Sequence, residues 1–185
     1  TRSKQIITLP ARITRWKGQE DFIEVVAKLK DEVPNLHGLI VGETKQDKFD
    51  FLDDLKNKAK KLGVDDRITF TEHRTDLREI MAISNIVMSL SHQPEAFGRT
   101  TIEALSLGIP VIGYAHGGVG EQLSSILPEG CVSPGNIDET SELTLKWLKS
   151  VPVVPHSNSF TLQKMLETTL SVYQNVAMTK IGSQN

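Results

Sequence analysis

One cysteine, Cys131, in 185 residues excludes an internal disulfide framework, and its expected role is that of a small buried hydrophobe in a reducing compartment. No apolar run approaches the roughly 18 residues of a membrane span. The N-terminal residues also lack the apolar core of a secretory signal, so the cytoplasm is the expected location. Charge of one sign is missing as well. With 21 Lys and Arg against 23 Asp and Glu, the net charge of -2 gives no general attraction to nucleic acid or anionic lipid, and any basic site must be local. Repeats and low-complexity tracts are absent. What remains is an ordinary globular balance, 38% hydrophobic and 24% charged, on a chain long enough for one sizeable core.

The apolar pattern alternates between two periods. A β-branched run at residues 5–9 precedes Phe22, Val25, Val26 and Leu29 at helical spacing, a segment closed by Pro34. The alternation repeats as a strand at 36–41, a helix through Leu52, Leu55, Ala59 and Leu62 stopped by Gly63, and a strand at 68–71. A short helix at 76–83, a strand at 86–90, a helix at 100–107 capped by Gly108 and a strand at 111–114 follow. Residues 115–120 read as a loop, 131–133 as a weak strand and 139–148 as a helix. Such alternation predicts an α/β fold, a Rossmann-like three-layer sandwich with a mostly parallel sheet of about six strands. Residues 1–150 form that domain, 151–158 read as a linker, and Phe160, Leu162, Met165, Leu166, Leu170 and Tyr173 predict a last amphipathic helix whose final dozen residues fray.

In a parallel sheet, ligands bind beyond the carboxyl ends of the strands. That rule selects the loops at 10–18, 42–47, 72–75, 91–99 and 115–120, whose glycines, arginines and lysines suit an anion held against backbone, most simply a phosphate. In the loop S-H-Q-P-E-A-F-G-R-T, Phe97 and Gly98 predict a tight turn that leaves the amides of Gly98, Arg99 and Thr100 unpaired at the positive end of a helix. A pyrophosphate fits there. Glu103, one turn inside the helix, suits a vicinal diol, yet Thr100-x-x-Glu103 is equally a capping box, which the local sequence alone favours. Arg12, Lys17 and Glu95 read locally as solvated loop residues. His73, His92 and His116 have no partner at metal-ligand spacing and read first as exposed polar residues, with His92 and His116 retained as phosphate or sugar contacts. Trp16 and Trp147 read as packing.

The stretch E-A-F-G-R-T-T-I-E-A-L-S-L-G-I-P-V-I-G, starting at Glu95, resembles the E-x7-E signature of the retaining group 1 (family 4) glycosyltransferases. H-G-G-V-G-E, with Gly117, Gly118 and Glu121, and the upstream A-R-I-T-R-W-K-G extend the resemblance, which runs from about Ile6 to Tyr173. It implies the C-terminal, donor-binding lobe of a GT-B fold, which transfers a hexose-type sugar from a nucleotide diphosphate sugar to an acceptor hydroxyl with retention, in cell-envelope or exopolysaccharide synthesis. No metal cofactor is implied. The acceptor falls mainly to a separate N-terminal domain, onto which the last helix crosses and through which any contact with the inner membrane would run. Carried over by residue, the resemblance assigns Arg12 and Lys17 to the diphosphate and Glu95 to the transferable sugar. It assigns Gly42, Arg74, Ala96, Phe97, Gly98, Arg99, Thr100 and Glu103 to donor binding. Ala11 stands where the family has glycine, the loop after Gly42 runs E-T-K-Q-D, and Glu72, His73 and Arg74 occupy the usual base-binding turn, which leaves the base open. The rival reading is a non-catalytic nucleotide or sugar module, separated from the first only by turnover in the full-length parent. A phosphorylated signalling domain would need an acidic cluster where Leu9, Pro10, Ala11 and Arg12 stand.

Overall fold

The structure, a computed structural model, describes residues 4–44, 49–155 and 160–182, with side chains given except at 49 and 177–182. Lys45, Gln46 and Asp47 of the second loop, and His156, Ser157 and Asn158 of the linker, lie outside the described residues. The elements run β1 (Gln5–Pro10), α1 (Gln19–Leu29), β2 (Leu36–Val41), α2 (Phe49–Lys61), β3 (Ile68–Thr71), α3 (Leu77–Ala82) and β4 (Ile86–Ser89). Then come α4 (Arg99–Ser106), β5 (Val111–Tyr114), α5 (Gly117–Ile126), β6 (Cys131–Val132), α6 (Ile137–Lys149) and α7 (Leu162–Gly182). The strands form a six-stranded sheet in the order β3-β2-β1-β4-β5-β6. Every pairing is parallel. Helix α1 packs on α2 and α6, while α3 packs on α4 and α4 on α5, giving the two helical layers.

The central strands are buried on both faces, since Ile7 and Thr8 of β1, Val87 and Met88 of β4 and Val111 and Ile112 of β5 are consecutive buried residues, while β2 leaves His37 and Leu39 half-exposed. Burying each such apolar side chain contributes roughly 1.5–3 kcal/mol, the main term opposing the entropy of ordering the chain. Helix α1 follows from Phe22, Val25, Val26 and Leu29 on its inner face, with Glu20 and Asp21 in the first turn and Lys28 in the last complementing the helix dipole. Helix α6 starts ahead of the expected residue 139, because the Asn136 side chain accepts from the Glu139 amide at 3.1 Å while Glu139 Oε2 accepts from the Ser133 amide at 2.9 Å.

Three expectations are corrected. Residues 115–120 are not wholly a loop, since α5 begins at Gly117. Three glycines in its first four residues hide the helix from propensity, and burial of Val119, Leu123 and Ile126 overrides them. Cys131 is half-buried rather than enclosed. Helix α7 continues to Gly182, past the point where its polar end was expected to fray, although 183–185 lie outside the described residues. Trp147 is buried, as a packing residue should be. Among the described residues no helix is long and apolar enough to cross a membrane.

The order of strands reverses direction between β1 and β4, so the loops after them part and leave a crevice at the carboxyl edge. The residues assigned above gather around that crevice.

Candidate donor site

The β1–α1 loop is fastened across the end of β4. Gly18 adopts φ 75°, and a Cβ there would lie 2.0 Å from the Leu90 carbonyl oxygen, so only glycine lets the two backbones approach this closely. The His92 amide donates to the Trp16 carbonyl at 2.8 Å. This crossing brings Lys17 Nζ to 2.7 Å from Glu95 Oε1, a partly enclosed ion pair with side chains 13% and 24% exposed. The same ammonium lies 4.4 Å from the centroid of the Trp16 ring, so the half-buried Trp16 does more than pack.

Arg12 precedes this crossing, and its side chain is exposed. Its carbonyl accepts from Gln19 Nε2 at 2.9 Å, and the next amide, of Ile13, donates to the Glu43 carbonyl at 3.0 Å. Gly42 passes close beneath, where a Cβ would stand 2.1 Å from the Ala11 carbonyl oxygen. Arg12, Gly42, Glu43, His73, Arg74 and Leu77 line a pocket of about 330 Å³. His73 is exposed, as expected. Arg74 is not a free cation: its guanidinium donates to both oxygens of Asp76, at 2.7 and 2.5 Å. That pairing raises the Arg74 pKa and holds the Asp76 carboxyl below its ordinary range.

The loop between β4 and α4 rests on α5. The Glu95 carbonyl accepts from the Gly118 amide at 2.8 Å, and the Phe97 carbonyl accepts from Gln122 Nε2. Gly98 then turns into α4 with φ 76° and no side-chain cap. Among the described residues the amides of Gly98, Arg99 and Thr100 have no acceptor, as the sequence predicts for an anion-binding helix start. The capping box is not formed: Gly98 is the N-cap and Thr100 the second helical residue, so Thr100 and Glu103 lie out of register for it. Thr100 instead borders the narrow cleft shared by Lys17 and Glu95.

Glu103 stands apart from Glu95. It lies 3.4 Å from Arg99 Nη2, whose side chain is 84% exposed, and lines a pocket of about 540 Å³ with Leu77, Arg78, Met81 and Phe160. Leu77 also lines the pocket at Arg12, so the two cavities adjoin. Ala96 is exposed, and Phe97 meets Phe160 edge-on with ring centroids 6.2 Å apart.

Sequence reasoning missed a buried network behind this loop. Asp21 Oδ2 accepts from the Tyr114 hydroxyl and pairs with His92 Nε2 at 2.9 Å. Burial first, and the Asp21 carboxylate second, push the Tyr114 hydroxyl far above its ordinary pKa. His116 Nε2 lies 2.7 Å from the Ser91 carbonyl oxygen. His92 is exposed, as expected, although its ring is tied to Asp21, whereas His116 is half-buried and bound to the scaffold in place of the exposed residue expected. No sequence signal pairs Asp21 with Tyr114, since an acid in the first turn of a helix is explained by the helix dipole alone.

A doubly wound parallel sheet carrying cations and an uncapped helix start at its switch point defines a Rossmann-like anion-binding lobe. The chain belongs to the group 1 glycosyl transferases, whose family profile matches residues 2–161. It is 30% identical over 143 residues to the lipopolysaccharide glucosyltransferase WaaG of Escherichia coli, covering 74% of this chain and 35% of WaaG. A glycosyltransferase from Rickettsia africae superposes with a TM-score of 0.84 at 26% identity over 96% of this chain and 49% of that one. Anabaena HepE in complex with UDP gives 0.73 at 26% identity over 80% of this chain and 40% of its own. The chain thus spans roughly a third of the length of curated relatives it matches, between 27% and 35%.

Proposed function

We propose that this chain is the donor-binding lobe of a retaining glycosyltransferase. It takes a nucleotide diphosphate sugar, holds it at the β1–β4 crevice, and serves transfer of a hexose-type sugar to an acceptor hydroxyl in envelope or exopolysaccharide synthesis. The observation that carries this reading is the meeting of Lys17 and Glu95 at 2.7 Å beside the free amides that open α4. Diphosphate needs cations and backbone donors together, and a transferable sugar next to it needs an acceptor such as Glu95. When the bond from the anomeric carbon to the diphosphate breaks and the acceptor oxygen takes its place, negative charge grows on the departing phosphate. Lys17, Arg12 and the α4 amides stabilise that charge electrostatically. On this reading a divalent metal is not required, and binding is expected to persist in strong chelator; a clear magnesium or manganese requirement would contradict it.

The pocket at Arg12, Gly42 and Arg74 takes the base side of the nucleoside, and the adjoining cavity gives Glu103 to the ribose diol. HepE was crystallised in complex with UDP, which supports a nucleotide ligand for this chain. With the capping box unformed, Glu103→Gln isolates the charge-assisted hydrogen bonds to ribose, worth roughly 1.5–3 kcal/mol, so nucleoside affinity is expected to fall about 10- to 150-fold. Calorimetric titration of the folded variant checks this, and unchanged affinity would remove Glu103 from the ribose.

The acceptor belongs to a further N-terminal domain on this reading, and α7 is the surface that meets it. Leu162, Met165, Leu166, Leu170 and Tyr173 are between 47% and 69% exposed, an apolar stripe that a self-sufficient lobe would bury. Catalysis then needs closure of the two lobes to align donor with acceptor and exclude water. Incubation of the isolated chain with radiolabelled nucleotide sugars and envelope-type acceptors is expected to yield binding and at most slow donor hydrolysis. Efficient transfer by the chain alone would refute the half-enzyme reading, and a full-length parent that binds without turnover would favour the non-catalytic module.

A further inference from the structure

Two buried glutamines share an arrangement that packing alone does not explain. Gln19 opens α1 at 1% exposure, and Gln122 lies within α5 at 0%. Each sends its side-chain amide to a main-chain carbonyl of a ligand loop: Gln19 Nε2 to Arg12 at 2.9 Å, and Gln122 Nε2 to Phe97. A carbonyl only accepts, so the nitrogen of each amide must face it and the oxygen must turn away. Both Oε1 atoms are buried and without a hydrogen-bond partner among the described residues. Methionine or leucine would remove the unpaired Oε1 but would also take away the donor to the Arg12 or Phe97 carbonyl, which has no other donor among the described residues, so glutamine trades one unpaired acceptor for another and gains little folding stability.

What each amide supplies is orientation of a peptide plane. In a trans peptide the C=O and the following N–H point in opposite directions. Holding the Phe97 carbonyl toward α5 therefore aims the Gly98 amide, the first free donor at the start of α4, away from α5 and into the crevice. Gly118 makes this reach possible, since a Cβ there would lie 2.5 Å from the Phe97 carbonyl oxygen. The Arg12–Ile13 peptide is gripped at both ends, by Gln19 on its carbonyl and by the Glu43 carbonyl on the Ile13 amide at 3.0 Å. That grip fixes the direction in which the Arg12 side chain leaves the backbone.

Building on the donor-binding reading above, we propose that Gln19 and Gln122 are positioning residues of the donor site, which aim the Arg12 backbone and the Gly98 amide at the diphosphate. Neither touches the ligand. Each acts through one peptide plane, and the two act on opposite sides of the crevice.

The test measures binding and stability together in the 185-residue chain. Gln19→Met and Gln122→Met match the glutamine in length, and Gln122→Leu serves if the longer thioether does not fit. For whichever of UDP, GDP or ADP the native chain binds, calorimetric affinity is expected to fall about 10-fold in each variant and about 100-fold in the pair, as for independent sites. Affinity for the matching uncharged nucleoside should stay within about threefold, and the thermal midpoint should stay within about 4 °C of the native value, since the lost hydrogen bond and the removed unpaired oxygen offset. A merely structural role predicts the reverse pattern, with a lowered midpoint and parallel loss of both ligands, and that result would overturn the proposal. Native affinity in stable variants would overturn it too. Failure of the native chain to bind any nucleoside diphosphate would instead defeat the donor reading, and this one with it.

Discussion

Replacing Arg12 and Lys17 together by alanine is expected to weaken binding of a nucleoside diphosphate by about a thousandfold, with little effect on the uncharged nucleoside. On the donor-binding reading proposed above, each cation makes charge-assisted hydrogen bonds to phosphate worth roughly 1.5–3 kcal/mol, and every 1.4 kcal/mol is about tenfold, so the pair is expected to span about 10²- to 10⁴-fold. The single variants should differ. Arg12 is exposed and its loss removes one cation, whereas loss of Lys17 also leaves the Glu95 carboxylate, 24% exposed and 2.7 Å from the missing ammonium, facing the incoming anion. Lys17→Ala is therefore the more damaging substitution, and adding Glu95→Gln to it should recover part of the affinity by removing the repulsion. Titration of diphosphate and nucleoside in parallel decides the matter. Equal weakening of both ligands would mean that these cations do not read phosphate.

The second large effect is on stability. Gly18→Ala is expected to cost at least about 3 kcal/mol, the sum of a left-handed backbone that L-residues resist and overpacking against main chain. The added Cβ would meet the Leu90 carbonyl carbon and oxygen at 2.7 and 2.0 Å, and neither can swing aside as a flexible side chain would. Gly108 provides the control, because it has nearly the same φ, 76° against 75°, with nothing within 4 Å of its Cβ position. Gly108→Ala should cost only about 1–2 kcal/mol. For a chain of this size the midpoints should drop by about 10 °C and about 4 °C respectively. Equal drops would show that the close crossing of the β1–α1 loop over β4 contributes nothing.

Most of the sheet is legible in the sequence because its strands are short Ile, Val and Leu runs and its helices carry full apolar stripes. Residues 36–41, 68–71 and 111–114 coincide with β2, β3 and β5 at both ends. The clearest failure came where local preference opposes tertiary packing. Gly117, Gly118 and Gly120 are poor helix formers, and α5 forms because the core takes Val119 and Leu123. At the site, the unpaired amides of Gly98, Arg99 and Thr100 are legible, since a glycine-bounded loop entering a helix has few conformations, whereas the ion pair of Lys17 with Glu95 is not. The capping box at Thr100 and Glu103 did not form, because Gly98 reaches the left-handed region and serves as N-cap two residues before Thr100. Arg74 could be named as a site residue but not its bond to Asp76. Least legible are the contacts between residues far apart in the chain: His92 with Asp21, and Gln122 with the Phe97 carbonyl, are products of topology that no local pattern encodes.

The margins of the sheet carry a consequence for how this molecule behaves at high concentration. Its outermost strands are β3, four residues long, and β6, only two. Edges so brief offer few unpaired main-chain groups to an incoming strand, so growth of a shared sheet between molecules is disfavoured. Most of the exposed large hydrophobic residues among those described lie on a helix, α7, whose interior backbone polar groups are already satisfied within the helix. Contacts made there are side chain to side chain, without new strand pairing, and they dissolve when a mild detergent or the proper partner covers the helix.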